Sequence, residues 1–177
     1  MDLGKLIGTS LKVYADDVTR AIHAEAANDI VMSLKYFGPY WTGQLEESWV
    51  VLREGQNAKR KKGDPSRQKR ARQITPLKSM PVAKGSKGRF IFKIDNDMEP
   101  NYKYYALDLY PMDTDEGPML RGDWPGQTSP LGRDWYRIYI EAGYLAEDLA
   151  RAGFKIANSP RVKGFAKDLT KGRRASF

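Results

Sequence analysis

The sequence predicts an α+β fold: a long N-terminal helix and a C-terminal helix packed on a small, mostly antiparallel sheet, with a long basic loop insertion. Three observations predict it. An apolar stripe at helical spacing runs from Leu3 to about Phe37, the stretch "RFIFKID" alternates apolar and polar positions as a strand does, and helical spacing returns near Trp135. With 177 residues, 41% of them hydrophobic and 11% aromatic, the chain can bury one globular core. The expected organisation is a single α+β domain over 1–154, interrupted by a basic loop at 53–88, and a basic C-terminal extension at 155–177.

Taken in order, the first helix places Leu11, Tyr14, Val18, Ile22, Ile30 and Leu34 at steps of three or four, or sums of them. A helix of about 30 residues spans on the order of 45 Å, long for such a domain, so a break near Gly8-Thr9-Ser10 is expected, with Ser10 as an N-cap. Gly38-Pro39 ends the helix, since Pro cannot continue the ladder. The following "GPYWTGQLEESW" reads as a corner from helix to sheet. Thr42 offers a capping hydroxyl, Gly43 removes bulk beside Tyr40 and Trp41, Leu45 drops inward, and Ser48 precedes the strand "WVVL". Residues 53 to 88 hold few apolar side chains, four glycines and three prolines, and read as a long loop or a splayed hairpin between strands, mobile in the isolated protein.

"RFIFKID" then sets Phe90, Phe92 and Ile94 on one face of a strand. The Tyr-rich "NYKYYALDLY" (101–110) suggests a further strand or short helix, making three or four strands in all, and 111–129 is rich in turn formers. The second helix is expected from Ser129 or Asp134 to Ala152, presenting Trp135, Ile138, Tyr139, Ala142, Ala146 and Leu149, with Gly153 as its cap. Beyond it, a polar basic tail carries sparse apolar anchors at Phe154, Ile156, Phe165 and Leu169.

The net charge of +8 is unevenly distributed. Residues 53–89 carry 13 Lys/Arg against 2 acids, residues 155–177 carry 7 against 1, and the remainder is net −9. An acidic body with two basic appendages points to electrostatic docking. No apolar run approaches the roughly 18 residues a membrane helix needs, and the N-terminus has acids where a secretion signal has basic residues. A soluble, unsecreted protein is expected.

Cysteine is absent and His23 is the sole histidine, which removes disulfides, thiolate metal sites and cysteine nucleophiles. His23 sits mid-helix with no pattern supplying a nucleophile and an orienting group, and reads as a packing or surface residue. "DTDEG" (113–117) lacks the spacing of a calcium loop, and neither "GSKG" nor "KKGD" has phosphate-loop spacing. Glu46 and Glu47, with Asp108, make no paired-carboxylate site, because adjacent residues on a turn point apart. Neither an enzyme, a cofactor nor a metal is expected. The runs "KRKK" and "RQKRAR" match nucleic-acid arms in charge density, but no aromatic residue interleaves them for base stacking. Docking on an acidic protein surface, a neighbouring copy included, ranks ahead of DNA contact.

The order of long helix, "GPYWTGQLEESWVV", alternating strands and "YYALDLY" resembles the neck or tail-completion proteins of long-tailed bacteriophages, the group similar to the minor tail protein Z of lambdoid phages. The resemblance rests on Pro39, Thr42, Gly43, Leu45 and Ser48, then Tyr105-Ala106, and covers about the first 110 residues. Two features depart from the family pattern: the acidic-Gly ending after Tyr-Ala is only loosely present in "LDLYPMDTDEG", and the 53–88 insertion is long.

The resemblance implies a virion structural protein, not a catalyst. Its subunits would form a ring, a hexamer or dodecamer, between a head-side connector or adaptor protein and a tail terminator or tube protein. The ring would leave a channel for genomic DNA, and the protein would be soluble in the host cytoplasm before assembly, without membrane contact. On this expectation Pro39, Trp41, Thr42, Gly43, Leu45, Ser48 and Tyr105 set subunit geometry. Lys59, Arg60, Lys61, Lys62, Arg67, Lys69, Arg70 and Arg72 form a partner- or DNA-contacting arm. Arg161, Lys163, Lys171, Arg173 and Arg174 form a second, C-terminal arm.

Overall fold

A computed structural model describes residues 3–38, 43–53, 55–59, 61, 71, 74–77, 92–96, 129–131 and 135–170. Helix α1 (Leu3–Phe37) leads, followed by a single helical turn α2 (Gln44–Glu47) and strand β1 (Trp49–Arg53). Strand β2 (Phe92–Asn96) and three helices, α3 (Trp135–Glu141), α4 (Tyr144–Ala157) and α5 (Pro160–Thr170), complete the described elements. The architecture is α+β, with long and C-terminal helices beside a small antiparallel sheet.

Helix α1 runs unbroken through Gly8, Thr9 and Ser10, so the expected break and the Ser10 cap are corrected. A helical glycine costs about 1 kcal/mol, too little to interrupt a helix extended on both sides. Its burial is uneven: Leu11 and Val13 are exposed, whereas Ala26, Ala27, Val31 and Leu34 are buried. Around Val31 and Leu34 gather Trp49, Trp135 and Tyr139, with Phe37, Val51, Leu77, Ile94, Leu131 and Leu145 packed against them.

The sheet pairs Trp49 with Asn96, Val51 with Ile94 and Arg53 with Phe92. Because side chains alternate across a strand, Trp49, Val51, Ile94 and Asn96 share one face, and that face meets the core. Among the described residues there are two strands; Phe90 and 101–110, expected to extend the sheet, lie outside them.

The expected second helix is instead two. It starts at Trp135, and a turn at Ala142-Gly143 divides it, with Gly143 at φ 99°, a left-handed conformation that side-chain-bearing residues avoid. The turn redirects the chain, so the predicted face does not persist: Trp135 and Tyr139 are buried, but beyond the turn Asp148 and Ala152 are buried and Leu149 is exposed. Gly153 lies inside α4 rather than capping it, and the expected polar tail is helical through Thr170. Alanines buried on α1 (Ala26, Ala27) and on α4 (Ala152) suit the close packing of these two helices.

Candidate interaction surfaces

The corner after α1 is built from backbone as much as from side chains. Gly43 occupies the position before α2 at φ 78°, left-handed, with no side-chain cap. Thr42 was expected to cap this turn; the cap position is Gly43, whose missing Cβ permits the backbone angle that aims α2. Glu47 N–H donates to the Gly43 carbonyl at 3.0 Å, and Ser48 Oγ donates to the Gln44 carbonyl at 2.7 Å. Half-buried Leu45 offers its carbonyl to two donors, Ser48 N–H at 3.2 Å and the Asn96 side-chain amide at 3.0 Å. Asn96 therefore ties the end of β2 to α2. Sequence reasoning missed it, although a polar residue closing an alternating strand was the available signal. Pro39, Trp41, Thr42 and Tyr105 lie outside the described residues, so the structure brings together Gly43, Leu45 and Ser48 only.

Beside this corner Lys35 is buried and donates to the Thr75 carbonyl at 3.1 Å. Burial pushes its pKa below the ordinary lysine value, and the carboxylates of Glu46 and Glu47 oppose that shift. Glu46 and Glu47 thus act on a buried cation of α1. The same cation holds residues 74–77, where Leu77 N–H also donates to Asn28 Oδ1 at 3.1 Å and Leu77 packs on the core. The reading of 53–88 as one mobile loop is corrected for this stretch: it is pinned to α1 by two hydrogen bonds and an apolar anchor. Lys59 and Lys61 are exposed on the described part of the insertion. Arg60, Lys62, Arg67, Lys69, Arg70 and Arg72 lie outside it.

A charged seam joins the C-terminal helices to α1. Lys155 Nζ donates to Glu25 Oε1 at 2.9 Å and to Asp29 at 2.8 and 3.0 Å. These hydrogen bonds, to Asp29 first and Glu25 next, raise its pKa. Asp29 is buried, so its charge is matched where water cannot reach it. Further along, Arg161 Nη2 donates to Asp17 Oδ2 at 3.0 Å, and the rings of Tyr14 and Phe165 stack with centroids 3.5 Å apart. Arg161, expected to reach a partner, grips its own chain in this structure. Lys163 is exposed, and Lys171, Arg173 and Arg174 lie outside the described residues.

Between α1 and α4 opens a groove of about 440 Å³, lined by Met32, Tyr36, Phe37, Ile74 and Tyr144 with Asp29, Ser33, Glu147, Asp148 and Arg151. Its buried acid is fully engaged: Tyr139 Oη donates to Asp148 Oδ2 at 2.8 Å, and Arg151 donates to Oδ1 at 3.0 Å. Burial, then the bond to Asp148, raises the Tyr139 pKa above its ordinary value. Asp29 is likewise occupied by Lys155, so both buried carboxylates of the groove are paired within the chain. His23, half-buried on α1, is not among the lining residues. Among the described residues no group of three His, Asp or Glu side chains could hold a metal ion, and no helix is long and apolar enough to cross a membrane. Compared with protein-family models, curated proteins and solved structures, the chain matches none.

Proposed function

We propose that this chain is a phage virion structural protein, a ring-forming neck or tail-completion subunit that joins the head connector to the tail and leaves a channel for DNA. The observation that supports it best is the seam of cations on acids. Lys155 and Arg161, from the C-terminal basic segment, engage Glu25, Asp29 and Asp17 of α1 across separate elements. The same pairing chemistry, used between copies by the remaining basic residues, suits head-to-tail contacts that close into a ring. The corner at Gly43, Leu45 and Ser48 supports the reading too, because it holds the resembling motif as a hydrogen-bonded turn between helix and sheet. Native mass spectrometry with negative-stain imaging of the purified protein, alone and with purified connector, tests it. Closed rings of identical subunits are expected; a protein that stays monomeric in both conditions sinks the proposal.

A second reading, a non-sequence-specific nucleic-acid-binding protein, is favoured by the 13 Lys/Arg against 2 acids in residues 53–89. Such binding falls steeply with salt because neutralised phosphates release counterions. Fluorescence anisotropy with a DNA duplex separates the two. Salt-sensitive binding by a monomer, abolished on deleting 56–72, favours this reading, and rings without DNA affinity remove it.

A further inference from the structure

Helix α5 meets the rest of the fold at a short joint and at a patch on the N-terminal half of α1. Helix α4 closes on itself, with the Asn158 N–H and side-chain amide both donating to the Phe154 carbonyl, at 3.1 and 3.0 Å. Helix α5 starts on its own terms. Pro160 fills its first position, where a missing N–H costs nothing, and the Ser159 carbonyl accepts from Lys163 N–H at 3.1 Å. Ser159 Oγ adds a longer cap to Val162 N–H at 3.4 Å. The joint is therefore Asn158-Ser159, where Ser159 N–H still donates to the Ile156 carbonyl of α4 at 3.0 Å while its own carbonyl and hydroxyl open α5.

The docking of α5 is equally local. Among its described side chains only Phe165 is buried, while Arg161 and Lys163 are exposed. Arg161 and Phe165, one turn apart, meet Asp17 and Tyr14, also one turn apart, so α5 runs antiparallel to α1 there. Leu11 and Val13, on the same stretch of α1, are 43% and 47% exposed. The core around Trp135 and Val31 lies at the other end of α1 and keeps its contacts without α5. An isolated helix of 11 residues is marginal in water, so α5 needs a surface to lie on. An identical surface on a second copy serves as well as its own.

We infer that α5 is an exchanged arm: in the assembly, α5 of one copy seats on Tyr14 and Asp17 of the next, remaking the contacts it holds in its own chain. The inference rests on the ring reading and names its intersubunit contact. Exchange of an identical element conserves every contact and changes only the joint, which is why it is a low-cost route to oligomers. The occupant is a second copy because the aromatic plate and carboxylate of α1 are matched, at the right spacing, by α5.

The chain has no cysteine, so a single introduced thiol is unique. Two variants, Asp17→Cys and Arg161→Cys, are mixed and treated with a short bismaleimide linker, and the products are read on denaturing gels with peptide mapping. A covalent dimer joining positions 17 and 161 can form only between chains. It is expected to exceed either same-variant dimer by about fivefold, and Phe165→Ala in the Arg161→Cys chain should lower it by about fivefold. Both altered positions are at least partly exposed, and unchanged circular dichroism verifies folding. A mixed dimer no more abundant than the same-variant dimers overturns the exchange. Native mass spectrometry of the same samples keeps the two ideas apart. Mixed cross-links in a protein that stops at dimers sink the ring and leave the exchange, and rings without mixed cross-links sink the exchange alone.

Discussion

The two ends of α1 are held by different physics. Toward its C-terminus the helix buries Val31 and Leu34 against Trp49, Trp135 and Tyr139, and the chain returns there from the corner, the sheet, residues 74–77 and α3. Toward its N-terminus the described contacts include an aromatic stack with α5 and an ion pair whose Arg161 side chain is 62% exposed. Apolar burial contributes roughly 25 cal/mol per Å² and is lost when the site opens, so the first end is cooperative with the whole fold. Exposed ion pairs contribute about 0–1 kcal/mol, so the second end can open while the fold persists. The C-terminal end of α1 is therefore the scaffold, and the N-terminal end is where α5 can exchange.

Trp135→Ala attacks the scaffold end most directly. Truncating this fully buried ring should cost about 3–5 kcal/mol in urea unfolding, and a loss under 1 kcal/mol would mean the core is not centred there. Tyr139→Phe comes next. It removes a buried donor to Asp148 and should cost about 1.5–3 kcal/mol, with the aromatic packing retained. At the exchangeable end, Arg161→Ala should lower global stability by no more than about 1 kcal/mol. Amide exchange should nevertheless quicken across 160–165 and stay unchanged across 26–34; equal acceleration of both would erase the distinction between the ends.

The smallest expected effect is a pH signature of two lysines, Lys35 and Lys155, both packed toward the scaffold end of α1. Lys155 has a raised pKa, so its contribution is complete below the ordinary lysine value of about 10.4 and is lost as pH rises through its folded value. Lys35 has a lowered pKa, because burial disfavours its charge. The unfolded chain therefore binds more protons between that lowered value and about 10.4, and stability rises with pH across the window. Urea midpoints followed from neutral to alkaline pH should show Lys35→Met flattening the rise and Lys155→Met removing the later fall. Identical profiles for both variants would contradict the two environments assigned to them.

Much of the candidate surface was legible because it depends on local chemistry. The helix-to-sheet corner could be read from Gly38, Gly43 and Ser48, and the alternating strand from Ile94 and its neighbours, since turn and pleat preferences act over a few residues. The fate of the C-terminal cations was not legible. Lys155 lies 126 residues from Asp29, and Arg161 lies 144 from Asp17, so no local pattern marks them as partners. Asn96 and Lys35 escaped notice for the same reason: their partners, Leu45 and Thr75, are brought near only by folding.

The long helix, the corner and the alternating strand follow from the sequence in order, because hydrophobic period, glycine placement and β-branching bias the backbone residue by residue. The sequence by itself also set the segregation of charge, which needs no structure to count. That Gly143 splits the following helix in two, and that the basic tail folds back as α5, was settled by packing between distant segments. Those outcomes turn on whether a surface elsewhere in the chain repays a local cost, and that surface exists only once the distant segments have packed together.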